Sequence, residues 1–226
     1  RHDEKIAGLL TQLIEVPPED YDFDFLGGCC GAVTLLANIH ALSAQEDVRP
    51  AIQRMVDYIK SQILIEDGQL LRRDERSVIL TGLSHGLSGV IHALCKAYEV
   101  TGDVTLVPLA VQVLEGENRL SRDGFWLDLR NLGPLDHASK WCHGDGGILI
   151  ARRQLMESMG DALDEATRQT VLDDIQRCEN NLWQHGFGDG YNLCHGDFGN
   201  LLCLYDLYRH SDNPEGISRV RKALEE

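Results

Sequence analysis

The sequence has no long apolar run. Its hydrophobic stretches fall far short of the roughly 20 residues that cross a bilayer, so no transmembrane segment is expected. Positive charge is scarce: 21 Lys and Arg stand against 36 Asp and Glu, for a formal net charge of −15. Without a basic stripe to meet a phosphate backbone, nucleic acid is not an expected partner. Alternating, strand-like stretches are almost absent, which argues against a sheet-based fold. Arg1 to Leu10 lack the form of a signal peptide, and the missing initial Met reads as a trimmed or excised chain. Cysteine is present without a disulfide pattern. The seven residues are odd in number and several lie inside apolar runs, Cys95 and Cys203 among them, where they read as small core hydrophobes. A reducing cytoplasm is the expected compartment.

What the chain does have is glycine, with 22 residues, and enough apolar content, 43% of 226 residues, for one sizeable core. The glycines are not scattered. Four phrases, "FLGGCCGAVTLL", "GLSHGLSGVIHAL", "KWCHGDGGILIA" and "NLCHGDFGNLLCL", each carry G-x-x-G followed by an apolar run. Their first glycines, Gly28, Gly86, Gly144 and Gly196, are 58, 58 and 52 residues apart, the signature of a repeat architecture.

Each repeat reads as two helices. "GVIHALCKAYEVTGD" is apolar at helical spacing and stops at Thr101-Gly102. "PAIQRMVDYIKSQIL" and the longer "ATRQTVLDDIQRCENNLW" carry polar faces. The pattern predicts a short apolar inner helix opened by glycines, then an amphipathic outer helix. "DGFWLDLR" is the one piece that suggests an extended segment. Helix pairs repeated about an axis form an open solenoid or a closed double ring. In both, the N-termini of the inner helices converge on one end.

The residues at that end carry chemistry. Immediately before each first glycine stand Gly27, His85, His143 and His195; one position earlier stand Leu26, Ser84, Cys142 and Cys194. One Cys-His pair would read as turn filler. Two pairs in register favour a metal, and thiolate with imidazole suits zinc. Cys142, Cys194 and His195 would supply three ligands, leaving a fourth position open, and the spacing is not that of a structural C-x-x-C ribbon. His40 and His92 fall on apolar inner helices and read as core residues, and His2, His137, His185 and His210 as surface or loop positions. Asp145 and Asp197 follow first glycines, where a carboxylate complements a helix N-terminus. Cys29 and Cys30 lie inside their G-x-x-G and read as structural.

"GLSHGLSG", "WCHGDGG" and "LCHGDFGN", in that order and with "GFWLDLR" ahead of the second, resemble the lanthionine synthetase C-like cyclases. The nearest resemblance is to the C-terminal cyclase domain of class II bifunctional lanthipeptide synthetases. It runs from about Asp24 to Leu207. It implies an all-α fold, an α/α toroid of inner and outer helices, of which residues 1–226 would be a partial cyclase domain with four of seven repeats. It implies one Zn²⁺ held by Cys142, Cys194 and His195, an acid/base histidine at His85, and, by a looser match, a functional Asp24. Stand-alone cyclases of the family carry Tyr where this chain has His143, and an Arg shortly before the first zinc Cys, where this chain has Ala138 four residues before Cys142.

The implied reaction adds a peptide cysteine thiol to dehydroalanine or dehydrobutyrine, closing a (methyl)lanthionine ring. A free thiol ionises near about 8.5, and zinc coordination removes its proton at neutral pH. The enolate left by the attack needs a proton, which His85 is suited to deliver; His143 would assist or support the zinc ligands. The implied partners are a dehydrated precursor peptide with a leader segment and a dehydratase domain in the same polypeptide. The implied location is cytoplasmic, with membrane association through a biosynthetic complex. Two other readings share the fold: addition of glutathione to dehydrated residues, and a non-catalytic peptide-binding toroid.

Overall fold

The structure, a computed structural model, describes residues 8, 11–20, 22–42, 47–66, 69–72, 79–130 and 136–225. Each glycine phrase opens a helix, and each of those helices is followed by another. The pairs are α1 (Cys29–Leu42) with α2 (Arg49–Gln62), α3 (Leu87–Thr101) with α4 (Leu106–Asn118), α5 (Asp145–Met159) with α6 (Glu165–His185), and α7 (Asp197–His210) with α8 (Pro214–Glu225).

The inner helices α1, α3, α5 and α7 pack against one another in chain order, and each outer helix lies on the inner helix of its own pair. Local sequence explains the boundaries. α3 is buried from Leu87 through Cys95 and ends where Gly102 takes a left-handed φ of 68° and donates its N–H to Tyr98 O at 2.9 Å. α6 starts at Asp164, whose carboxylate caps Thr167 N at 2.7 Å. α2 buries Ala51, Ile52, Met55, Val56 and Ile59, an i, i+1, i+4, i+5, i+8 stripe, and turns its polar residues outward.

The extended segments are short. "FWLD" forms β4 (Phe125–Asp128), the centre of a three-stranded sheet with β3 (Ser121–Arg122) and β5 (Asp136–His137). Asp123 and Gly124 both take positive φ between β3 and β4, the two-residue turn that suits the strand twist. A hairpin of β1 (Ile63–Glu66) and β2 (Gln69–Arg72) was not foreseen. The expected outer helix through Leu64 stops at Gln62, where the β-branched Ile63 and Ile65 favour strand. No helix among the described residues is long and apolar enough to cross a membrane.

Two features bring the four entrance loops together. The second glycine of each phrase lies against the carbonyl of the residue six before it. A Cβ on Gly31, Gly89, Gly147 or Gly199 would come within 2.4 Å of the carbonyl oxygen of Phe25, Leu83, Trp141 or Leu193. Only glycine lets the loop fold back so tightly on its own helix. The loops are then joined by main-chain bonds at equivalent positions. Leu26 N–H donates to Ser84 O (3.0 Å), Ser84 N–H to Cys142 O (3.0 Å), and Cys142 N–H to Cys194 O (3.0 Å).

Candidate metal centre and acid–base pair

This ladder sets residues more than fifty positions apart side by side. Sγ of Cys142, Sγ of Cys194 and a ring nitrogen of His195 all lie within 4.8 Å of one another. Cys142 is buried, whereas Cys194 and His195 are exposed, so the group opens to solvent on one side. The His195 N–H donates to Asn192 Oδ1 at 2.8 Å, which closes the last entrance loop. All seven cysteines are free thiols.

The donor set fits zinc. Bonds of about 2.3 Å to sulfur and about 2.0 Å to nitrogen make tetrahedral edges of roughly 3.5 Å, which fall inside the 4.8 Å span of the three ligand atoms. Burial first, and then the neighbouring Cys194 thiol, push the Cys142 thiol up to about 11, so a bare Cys142 keeps its proton at neutral pH. A bound divalent ion reverses that preference.

Beside this group sits the second predicted feature. His85 Nδ1 and Asp24 Oδ2 are 2.5 Å apart, and Asp24 Oδ1 also accepts the Gly27 N–H at 2.8 Å. Asp24 therefore both closes its own loop and engages His85. An ionised carboxylate only accepts, so His85 Nδ1 carries the shared proton and Nε2 is the nitrogen left for other work. His143 is buried, with its ring centroid 5.7 Å from that of His85. Burial, then the Arg130 charge, push its imidazole down to about 4, and a hydrogen bond to the Thr81 backbone opposes the shift.

Gly27, at the equivalent position of the first repeat, brings no side chain. Cys29 and Cys30 are fully buried in the core. His92 is buried with Nδ1 3.3 Å from Thr34 Oγ1, and His40 is half-buried; His137, His185 and His210 are exposed, and His2 lies outside the described residues. Asp145 accepts Ser139 Oγ–H (2.6 Å) and Asn181 Nδ2–H (2.9 Å), and Asp197 accepts the Gly188 N–H (2.9 Å). Asp145 ties its own entrance loop to α6, Asp197 holds the loop ahead of α7, and both stand outside the Cys-Cys-His group.

A glycine-opened helix pair, repeated, with Cys-His at two of its entrances, is a combination that can be compared with known proteins. The family described as "Lanthionine synthetase C-like protein" matches residues 2–226. The chain belongs to the lanthionine synthetase C-like family. One relative is the lacticin 481/lactococcin biosynthesis protein LcnDR2 of Lactococcus lactis subsp. lactis, 30% identical over 62% of this chain and 17% of that protein. Another is glutathione S-transferase LANCL1 of Danio rerio, 28% identical over 75% of this chain and 42% of that protein. The chain thus spans less than half the length of these curated relatives. A crystal structure of a sugar epimerase from a ruminal bacterium superposes with a TM-score of 0.60 at 14% identity, covering 87% of this chain and 57% of that one. This likeness bears on the fold alone and agrees with an all-α, toroid-type arrangement.

The lanthionine synthetase C-like chain also holds a cation that sequence reading missed. Arg130 binds Asp128 in a fork, Nε to Oδ1 at 2.8 Å and Nη2 to Oδ2 at 2.5 Å. Its charge acts on the thiols of both Cys142 and Cys194. The sequence has Ala138, four residues before Cys142, where stand-alone cyclases carry an arginine. Arg130 stands just past β4, within "GFWLDLR", and Leu127 O accepts the Thr81 hydroxyl at 2.8 Å, which docks β4 onto the His85 loop.

Proposed function

We propose that this chain is the cyclase part of a zinc-dependent lanthionine synthetase, which adds cysteine thiols to dehydroalanine or dehydrobutyrine in a precursor peptide. The observation that supports this most is the meeting of Cys142, Cys194 and His195 within 4.8 Å, next to the His85–Asp24 pair. Zinc, when bound, would hold the incoming thiol as a thiolate at neutral pH.

The chain's own residues account for the rest. Cys142, Cys194 and His195 would hold the metal, and the exposure of Cys194 and His195 leaves one side open to solvent for the peptide. Attack forms the carbon–sulfur bond at the β-carbon and moves the alkene electron pair toward the adjacent carbonyl. The resulting enolate takes a proton at its α-carbon. His85 delivers it, with Asp24 fixing the ring through Nδ1 and stabilising the protonated imidazole. His143, buried between His85 and the Thr81 backbone, keeps His85 and the cysteine loop in register. Arg130 offsets the negative charge that a third thiolate brings. The substrate is a dehydrated peptide with a leader segment, supplied by a dehydratase that works with this unit in the same polypeptide.

A second reading is favoured by the similarity to glutathione S-transferase LANCL1: the same group would activate glutathione and add it to dehydrated residues. One experiment separates the two. The intact protein is given a dehydrated precursor peptide with and without glutathione, and products are read by mass and by loss of alkylatable thiol. Ring closure without glutathione supports the cyclase, and glutathione adducts without rings support the transferase. The same assay tests the roles. Cys142→Ala or Cys194→Ala should empty the protein of zinc by elemental analysis. His85→Ala and His85→Asn should keep zinc and lose roughly 10²–10⁴-fold in rate, the range for a missing general acid. Full zinc in either cysteine variant, or native rates in both histidine variants, refutes the assignment.

A further inference from the structure

The loop that carries His85 is held from behind by a buried carboxylate. Glu117, in the last turn of α4, is fully buried. Its Oε1 accepts the Gly82 N–H at 2.9 Å and the Ser88 N–H at 3.0 Å, and its Oε2 accepts the Ser88 hydroxyl at 2.7 Å. Gly82 lies three residues before His85 and Ser88 three residues after it, so one carboxylate clamps both flanks of the loop. The clamp faces the centre on its other side. A Cβ on Gly82, whose φ is 90°, would lie 2.7 Å from His143 Cα and 2.8 Å from Gly144 N. The position of Gly82 therefore fixes how closely the His85 loop rides on the loop of Cys142 and His143.

Burying a carboxylate is expensive, and here the charge is balanced. Arg152 Nη1 of α5 lies 2.9 Å from Glu117 Oε2, and Arg152 Nε donates to Asp174 Oδ2 of α6 at 3.0 Å. Such a buried pair adds little net stability compared with apolar packing, whereas the hydrogen bonds of Glu117 hold both flanks of the loop in place. We infer that Glu117 is a positioning residue for His85, setting the reach of its imidazole toward the metal group through Gly82 and Ser88; this rests on the acid role proposed for His85.

Two variants of the intact protein separate reach from charge. Glu117→Gln, made together with Arg152→Met so that no buried charge is left unpaired while Asp174 keeps Arg177 and Asn118, keeps a side-chain oxygen at the same reach for the two N–H groups and loses the charge. Glu117→Asp keeps the charge and is too short to span to both Gly82 and Ser88. If Glu117 positions the loop, Glu117→Asp should lower kcat roughly ten- to a hundredfold while KM and zinc content stay at native values. It should also shift the low-field NMR signal of the proton between His85 Nδ1 and Asp24, which is assigned by its loss in Asp24→Asn. Glu117→Gln with Arg152→Met should preserve both the signal and most of kcat. The reverse ranking, with Gln defective and Asp native, or native behaviour in both, overturns the inference. A shifted signal with native kcat in Glu117→Asp supports the positioning and refutes the acid role of His85, so the two failures are distinguishable.

Discussion

Replacing Gly199 by alanine should dislodge the Cys142, Cys194 and His195 group proposed to hold zinc while leaving most of the fold intact. The new Cβ would lie 2.0 Å from Leu193 O and 2.9 Å from Leu193 C. Carbon and oxygen approach no closer than about 3.3 Å even in favourable contacts, so the Leu193 carbonyl has to retreat by roughly 1 Å. Leu193 is the residue before Cys194, and its side chain is exposed, so the loop has room to give. A metal site tolerates about 0.2 Å in its bond lengths, several times less than this retreat. Zinc affinity should therefore fall at least tenfold, within the roughly 10- to 100-fold range for lost ligand support. The strain itself should cost about 1–3 kcal/mol. Gly102→Ala is the control. Its φ of 68° strains an alanine by about 1–2 kcal/mol, and nothing lies within 4 Å of the added carbon. It sits at the far end of α3 from the centre. Melting by circular dichroism and competition with a chromophoric chelator report the two quantities. If Gly199→Ala binds zinc as tightly as the native protein, the argument that the glycine places Cys194 is wrong.

Thiol reactivity should follow exposure. In metal-free protein, iodoacetamide should modify exposed Cys194 first, and Cys203, pushed up to about 12 by burial, should stay unmodified along with buried Cys95, as read by peptide mass. Zinc should protect Cys194, and labelling of Cys203 or Cys95 at the rate of Cys194 would contradict the packing. The Asp128 carboxyl is held below its ordinary range, first by its hydrogen bond to Arg130. Its contribution to stability is present above about pH 4, the ordinary carboxylate value, and is lost as pH falls through the depressed one. Arg130→Gln should flatten that part of the stability–pH curve in urea titrations, and an unchanged slope would show that the fork does not form.

The inner helices were legible because their signal is both local and repeated. Gly-x-x-G marks a steric demand that no other residue meets, and the apolar run after it has helical spacing. The Cys-His positions were legible for the same reason, since register alone brought Cys142, Cys194 and His195 together on paper. Glu117 was not. In sequence it is one of two glutamates, with Glu115, near the end of an outer helix, and nothing in the pattern marks it as buried. Only the packing of α4 behind the His85 loop shows that its carboxylate points inward. Arg130 was hidden because it stands well before Cys142 in the chain, and only the docking of β4 on the Thr81-carrying loop shows that its charge acts on the thiols. The β1–β2 hairpin was missed because "ILIE" continues the apolar pattern of the preceding helix.

The ladder through Leu26, Ser84, Cys142 and Cys194 is built from main-chain groups alone. It is therefore indifferent to the side chain hung at each rung, and here it carries a hydrocarbon, a hydroxyl and two thiols in turn. A single codon change at a rung rewrites the reagent presented to the substrate without renegotiating the architecture behind it. Such a rack can be restocked over evolutionary time. The fold alone recurs at 14% identity in a sugar epimerase, and a fold does not dictate the chemistry placed on it.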